Sequence, residues 1–402
     1  MAEGASLAIA QRSLGDPAVD YPLWPPLTSG CPRTSTAEIA YPVEVDYAYD
    51  KVPDGLFAEG PGRSAGLDRW APLLPPLAAP TLGEGGTPLV EIGDGVYLKD
   101  ESRNPTWSHK DRLNRCTVSA AVGVGAEGVV VASSGNHGAS AAAFAARAGL
   151  RCIVLTASDA PPAVRSFVDA YGAVVLPVPV EARWPLMRQI VDRLGYHPVS
   201  NLTVTHTGHA FGPEGYKTIA YEIFTEIGVP AAVFTPVGYG ELLFGIWKGF
   251  AELRRLGLAP RVPRMYACEP AAGGPLAAAV RQRAAAAVVP VGPTSAYGIA
   301  CSVGGHRGVV AIRESGGEVL LVSDEEMAAA RAELSRHGLW VELSAAAGLA
   351  GLRRHGDVDG PVVCVSTSSG FKDLSVGSHV LDPVVPTWEA VTRRLRSRGI
   401  TV

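Results

Sequence analysis

The sequence predicts an α/β protein built mostly of parallel sheets. From residue 86 onward, short β-branched runs alternate with Ala-rich stretches of helical length, the pattern of successive βαβ units. Glycines collect where the strand-like runs give way to helix-like ones, which is where α/β sheets place their ligands. With 402 residues, 47% of them hydrophobic and only 18% charged, the chain has apolar side chains enough for one large or two ordinary cores and is not a disordered one.

Residues 1–85 are rich in Pro and Gly, show little periodicity and exceed an ordinary connecting loop. Their large aromatics, Tyr47, Tyr49 and Trp70 among them, favour an extended arm wrapped over the main body above a disordered tail. A short strand is expected at 96–99, then a polar turn broken by Asn104-Pro105, then a helix with Ser108 as N-cap and Asp111 three residues on. A strand at 129–131, a Gly-rich turn and a helix at 139–148 follow; then a strand at 152–155, a helix at 162–171 and a strand at 173–176. Later come a strand at 232–235, a helix at 243–255, strands at 264–267 and 319–322, a helix at 324–337 and a strand at 362–365.

Composition excludes several classes. Net charge is −4 and no basic stripe argues for nucleic acid. The six cysteines, at 31, 116, 152, 268, 301 and 364, show no C-x-x-C pair and no metal spacing, so they read as small buried hydrophobes in a reducing compartment. The first residues lack the basic region and apolar core of a signal peptide, and the Ala-rich run at 277–290 carries Arg281 and Arg283 and is too short to span a bilayer. A cytoplasmic protein is expected, with no membrane and no metal.

Two stretches carry chemistry on their own residues. Lys110 falls in the first turn of the helix after Asn104-Pro105, where the dipole favours anions and a lysine gains nothing. An amine held there and removed from water loses its proton readily, as a Schiff-base lysine must; a solvated surface lysine is the alternative the residues allow. Gly238-Tyr-Gly-Glu-Leu242 lies between a strand and a helix, so its amides can cradle an anion or simply form a turn. Glu241 would repel an anion there and is expected to point away or pair with a cation.

Lys99-Asp-Glu-Ser-Arg-Asn-Pro-Thr-Trp-Ser-His-Lys-Asp-Arg112 resembles the pyridoxal-phosphate lysine segment of threonine synthases and their fold type II relatives, K-D-E-x-x-N-P-T-G-S-F-K-D-R. Gly83-Glu-Gly-Gly-Thr-Pro-Leu89, Ser133-Ser-Gly-Asn-His-Gly138, Pro236-Val-Gly-Tyr-Gly240 and Val365-Ser-Thr-Ser-Ser-Gly-Phe-Lys-Asp373 resemble four further motifs of that family, in its order and spacing. The resemblance implies two three-layer α/β/α domains with mostly parallel sheets and the cofactor pyridoxal 5'-phosphate in the cleft between them. The large domain would be 86–123 with 216–402, carrying the arm 1–85, and the small domain 124–215. A homodimer is implied as well. Relatives often open with a cysteine-bearing metal finger; here Cys31 stands alone in that region, so no metal is expected.

Residue by residue, the resemblance makes Lys110 the Schiff-base and catalytic residue. It makes Gly238, Tyr239, Gly240, Glu241 and Leu242 the phosphate loop, and Asn136 the partner of the cofactor's phenolic oxygen. Thr367, or a neighbouring hydroxyl of Ser366 or Ser368, would face the pyridine nitrogen. A neutral hydroxyl there suits elimination and replacement better than transamination. Ser133, Ser134, Gly135 and His137 would take the substrate carboxylate at a helix N-terminus.

The chain departs from the family at three places. Trp107 and His109 stand for Gly and Phe and are candidates for lining the substrate pocket. His109 reads either as a second proton carrier or as a packed side chain. Gly212 stands where threonine synthases carry an arginine for the substrate phosphate, a role glycine cannot fill. His206 and His209, with Tyr297 and Lys372, are further candidates near the pocket. The expected activity is therefore pyridoxal-phosphate-dependent β-elimination or β/γ-replacement on an amino acid, threonine-synthase-like with altered specificity. A true threonine synthase and a non-catalytic cofactor-binding protein are the alternatives.

Overall fold

The computed structural model describes residues 5–58, 63–157, 162–373 and 382–401. The first four residues, part of the stretch expected to carry no leader, lie outside the described residues.

The arm contains a small antiparallel sheet that the sequence reading did not anticipate. It is formed by β1 (Ala8–Ser13), β2 (Asp20–Pro22) and β3 (Val43–Tyr47), ordered β2-β1-β3. In β3 the alternation is complete: Val43, Val45 and Tyr47 are buried while Glu44 and Asp46 are half-buried. Buried Gln11 fixes the following turn, its amide donating to the carbonyls of Pro22, Leu23 and Pro25 while its Oε1 accepts from Leu27 N. The arm is bolted to the body. Tyr47 Oη donates to Glu214 (2.9 Å), Lys248 Nζ to Val45 O (2.6 Å) and Arg307 Nη2 to Val43 O (2.6 Å).

The body begins with β4 (Leu89–Gly93), β5 (Val96–Asp100) and α1 (Lys110–Gly123). Next come β6 (Gly128–Ala132), α2 (Asn136–Arg147), β7 (Arg151–Thr156), α3 (Pro162–Ala170), β8 (Val174–Pro177), α4 (Arg183–Leu194) and β9 (His197–Pro198). Then follow α5 (Gly212–Ile227), β10 (Ala232–Pro236), α6 (Glu241–Arg255), β11 (Arg264–Pro270), α7 (Pro275–Gln282) and α8 (His306–Ser315). The chain closes with β12 (Glu318–Val322), α9 (Asp324–Arg336), α10 (Ala347–His355), β13 (Val362–Ser366) and α11 (Trp388–Ser397).

Two sheets result. One has the order β12-β11-β10-β13-β5-β4, parallel except for β4 at its edge. The other, β8-β7-β6-β9, is wholly parallel. Each is a three-layer α/β/α arrangement, as the period-2 burial shows. In the larger sheet Val233, Met265, Ala267, Val363 and Val365 join the core on the α5, α6 and α8 side, while Phe234, Tyr266, Cys268 and Cys364 join α9 and α10 on the other. In the smaller sheet Val129, Val131 and Val154 pack on α2 and α3, and Val130 and Leu155 on Met187 of α4.

The expected elements are present with shifted ends. The helix expected at 139–148 starts at Asn136, and the one expected at 243–255 starts at Glu241, so both glycine-bearing loops run directly into helix. Ser108 is not the N-cap of α1. His109 occupies that position without a side-chain cap, Ser108 pairs with Ser368 in an isolated bridge, and Asp111 accepts from Thr106 N and Oγ1 (2.6 and 2.5 Å). The Asn104-Pro105 turn folds back on the first helical turn, so Asp111 serves that turn instead of a capping box.

The start of α1 is clamped by a buried ionic cluster. Arg112, fully buried, donates to Glu101 (2.7 and 2.8 Å), Glu222 (2.6 and 2.8 Å), Thr87 and Thr218. Lys99 completes it through Glu222 (2.7 Å) and Thr87 O (2.6 Å). Gly215 brings α5 against this turn: a Cβ there would stand 2.0 Å from Arg112 O. Arg112→Met would leave buried Glu101 without its cation, Lys99 alone remaining for Glu222, and is expected to cost about 3–5 kcal/mol, measured as a lowered midpoint in denaturant unfolding.

Candidate active site

A cavity of about 570 Å³ opens where residues leave the C-terminal ends of β6, β10 and β13, a volume in the range of small-molecule sites. Among the residues that line it are Lys110, His109, Ser133 to His137, Gly238 to Leu242 and Thr367, each expected at the site from the sequence.

Lys110 is the first residue of α1, and its Nζ donates to Tyr216 Oη (3.1 Å). Burial lowers its pKa below the usual lysine value; the charge of Glu241 works the other way and does not win. Gly215 is what lets Tyr216 come this close. His109 lies on the Tyr216 ring, 5.4 Å between centroids, with Nδ1 3.1 Å from Thr367 O. Burial, reinforced by the charge of Lys110, holds its pKa well below the ordinary histidine value, so the ring is neutral, packed and in the wall.

In the loop before α2, Ser133 Oγ accepts from Gly135 N, and Ser134 Oγ accepts from Ala157 N (2.7 Å) and Arg183 Nη1 (3.2 Å). Asn136 Nδ2 donates to Glu342 Oε1 (3.1 Å), and its Oδ1 accepts from Ser368 Oγ (3.4 Å). Burial pushes Glu342 up to about 7 and His137 down to about 3. Among the three neighbouring hydroxyls, Thr367 lines the cavity; Ser368 is taken by Asn136, and Ser366 is fully buried.

The turn before α6 is bare backbone by necessity. A Cβ on Gly238 would meet Cys301 Sγ at 3.0 Å, and one on Gly240 (φ +89°) would meet Gly308 Cα at 3.0 Å. Tyr239 stacks on His206, centroids 4.0 Å apart, and hydrogen-bonds Cys301. Glu241 does find a cation, though loosely: its oxygens lie 3.9 Å from Arg307 Nη1, and 3.9 Å from Nε2 of His206, whose pKa burial holds well below the ordinary histidine value. Burial outweighs both Arg307 and Lys110 and raises its pKa.

The structure does not bring every candidate to the cavity. Trp107 has φ +61°, the conformation glycine adopts freely, and its ring packs outward on Phe167 and Phe371, 40% exposed. Its expected place in the substrate pocket is therefore corrected to the protein surface. Gly212 opens α5 away from the cavity, and a Cβ there would meet Leu113 Cγ at 3.1 Å. His209 pairs with His197 (2.9 Å) away from the cavity, whereas His206 lines it. Tyr297 lines the cavity and donates to Lys372 O; Lys372 is buried over the Phe167 ring and does not.

Among the lining or contacting residues that carry polar chemistry, the sequence reading did not single out Tyr216, Glu342 or Arg183, and it took Cys301 only as a small buried hydrophobe. Only Tyr216 carried a signal, since it lies four residues past Gly212, where the family carries its arginine. The other three lie in stretches without a motif.

These residues fit pyridoxal phosphate. A desolvated amine faces the cavity, the 238–240 turn leaves its backbone bare, and polar atoms of the wall, Glu342 Oε2 and His206 Nδ1, have no partner among the described residues. The two parallel three-layer units with a cavity at their strand ends define a fold type II enzyme. A family profile described as "Pyridoxal-phosphate dependent enzyme" matches residues 80–368, and the chain belongs to that family.

The chain is 33% identical over 363 residues to the threonine synthase of Methanocaldococcus jannaschii, covering 84% of this chain and 88% of that one. It is 32% identical to the threonine synthase of Mycobacterium tuberculosis, covering 79% and 89%. Among solved structures, maize serine racemase matches with a TM-score of 0.63 at 19% identity (78% and 93% covered). A threonine deaminase from Solanum lycopersicum matches with 0.62 at 18% (78% and 83% covered). At these identities the solved structures speak for the fold. The protein is a pyridoxal-phosphate-dependent enzyme with lyase-type chemistry.

A raised carboxyl favours its neutral form in the fold, so the Glu342 site costs stability as pH rises from the ordinary carboxyl value through about 7, and the cost then stays constant. Glu342→Gln is expected to gain in melting temperature relative to the parent between pH 5 and pH 8, read by thermal melts at the two pH values.

Proposed function

We propose that the protein catalyses β-elimination or β/γ-replacement on an amino acid, with a substrate other than that of the threonine synthases it is similar to. The single observation that carries the reading is the buried amine of Lys110, lowered in pKa and aimed into a cavity walled by the two glycine-bearing loops.

Bound pyridoxal phosphate supplies an electron sink for negative charge developing at the substrate Cα. The amides of Gly238 to Leu242, at the N-terminus of α6, would hold its phosphate. Asn136 would bond its ring hydroxyl and Thr367 its ring nitrogen. Glu241, pushed toward its neutral form by burial, would repel the phosphate less than an ordinary carboxylate. Lys110, with no tight counter-ion among the described residues and oriented by Tyr216, takes the Cα proton and returns one to the β or γ carbon or to the leaving group. The Ser133–His137 loop and the first amides of α2 bind the α-carboxylate. Glu342 positions Asn136 through its hydrogen bond.

The division into a small domain, 124–215, and a large domain, 86–123 with 216–402, carrying the arm 1–85, is supported by the two separate sheets. Among the described residues no helix is long and apolar enough to cross a membrane. A cytoplasmic homodimer completes the proposal, in keeping with the resemblance.

Borohydride reduction of cofactor-soaked protein, followed by mass spectrometry, is expected to find the adduct on Lys110. Lys110→Ala is expected to lose it and at least about 10²-fold in kcat; an adduct elsewhere would sink the reading. The second reading, a true threonine synthase, is favoured by the similarity over 84% of the chain. Incubation with O-phosphohomoserine separates the two: little phosphate and threonine are expected, because Gly212 brings no guanidinium, and rapid release of both would establish the second reading.

A further inference from the structure

Arg183 is the guanidinium in the cavity wall, and the activity proposed above does not use it. It opens α4, with Nε donating to Val180 O (3.3 Å) and Nη1 to Ser134 Oγ (3.2 Å), so two of its nitrogens are tied to the wall and the fork is oriented. Among the described residues no carboxylate lies within ion-pair distance of it. The neighbouring wall is Trp184, Tyr239 and Cys301, and the charge of Arg183 is felt at the Tyr239 hydroxyl and the Cys301 thiol. A fixed guanidinium without a counter-ion at a cavity wall is an anion site. The α-carboxylate is already provided for by the amides at the start of α2. At Gly212, meanwhile, a Cβ would already press on Leu113 at 3.1 Å.

We propose that Arg183 binds a second anionic group, carried on the side chain of the substrate, so that the enzyme selects amino acids whose β substituent is an oxyanion. The inference rests on the proposed function and deepens it. Ser134 is the positioning residue: its hydroxyl holds one arm of the fork of this cavity-lining side chain.

The test uses the full chain loaded with pyridoxal phosphate. Absorbance titrations compare L-alanine and L-serine with O-phospho-L-serine, L-cysteate and L-aspartate, in the parent, Arg183→Gln and Arg183→Lys. The parent is expected to bind the best of the three anionic amino acids at least about 10-fold more tightly than the neutral ones. Arg183→Gln is expected to bring that ratio close to one, and Arg183→Lys to restore part of it. Which of phosphate, sulfonate and carboxylate gains most names the oxyanion. An unchanged ratio in Arg183→Gln overturns the proposal. So does an equal loss for neutral and anionic amino acids, which would assign Arg183 to the α-carboxylate. If the parent forms the Lys110 adduct yet shows no preference, the Arg183 assignment alone fails. If it forms no adduct, the proposed function fails and this inference with it.

Discussion

The position of the reactive amine is set by a neighbour two residues along. Arg112 saturates its guanidinium on Glu101, Glu222, Thr87 and Thr218, and so joins the loop after β5, the first turn of α1 and α5. Each charge in this cluster is expensive to bury alone and tolerable only with the others in place, so the cluster has few alternative geometries. Lys110 leaves the same helical turn toward the cavity, and Gly215 lets α5 press on that turn so that Tyr216 meets its amine. The amine itself contributes little to this arrangement; it is carried by a lock built beside it.

Inside the cavity, desolvation outweighs the charges. Lys110 faces Glu241, and Glu241 faces Arg307 and Lys110, yet burial lowers the amine and raises the acid. At 3.9 Å the contacts of Glu241 with Arg307 and His206 are too long to be hydrogen bonds, so the attraction does not offset what the groups lose by leaving water. The result is a site whose amine and acids all sit nearer neutrality than they would in water. That suits proton transfer, which works best between groups of matched pKa.

The departures from the family pattern have separate physical explanations. Trp107 occupies a backbone conformation made for glycine, and it turns outward to pack across Phe167 and Phe371. Gly212 lies against Leu113 and Thr117 of α1, so that even a Cβ there would press on Leu113 at 3.1 Å. The cavity instead carries Arg183, from the start of α4.

The sequence by itself determined the alternation of strands and helices, the lysine, and the two glycine-bearing turns. These are local: burial on both faces of a strand forces continuous β-branched runs, and a close backbone approach forces glycine. Helix ends slipped by two or three residues at Asn136 and Glu241, because loop residues with no apolar period still close helical hydrogen bonds there. The arm's sheet was hidden because short antiparallel strands held by Gln11 and by partners more than 160 residues away leave no local signature. Tertiary structure alone decided that Glu342 bonds Asn136, that Tyr216 meets Lys110, that Arg183 reaches Ser134 and that Trp107 misses the cavity. Each of these depends on where distant segments meet, and sequence spacing carries no information about a contact made across a cleft.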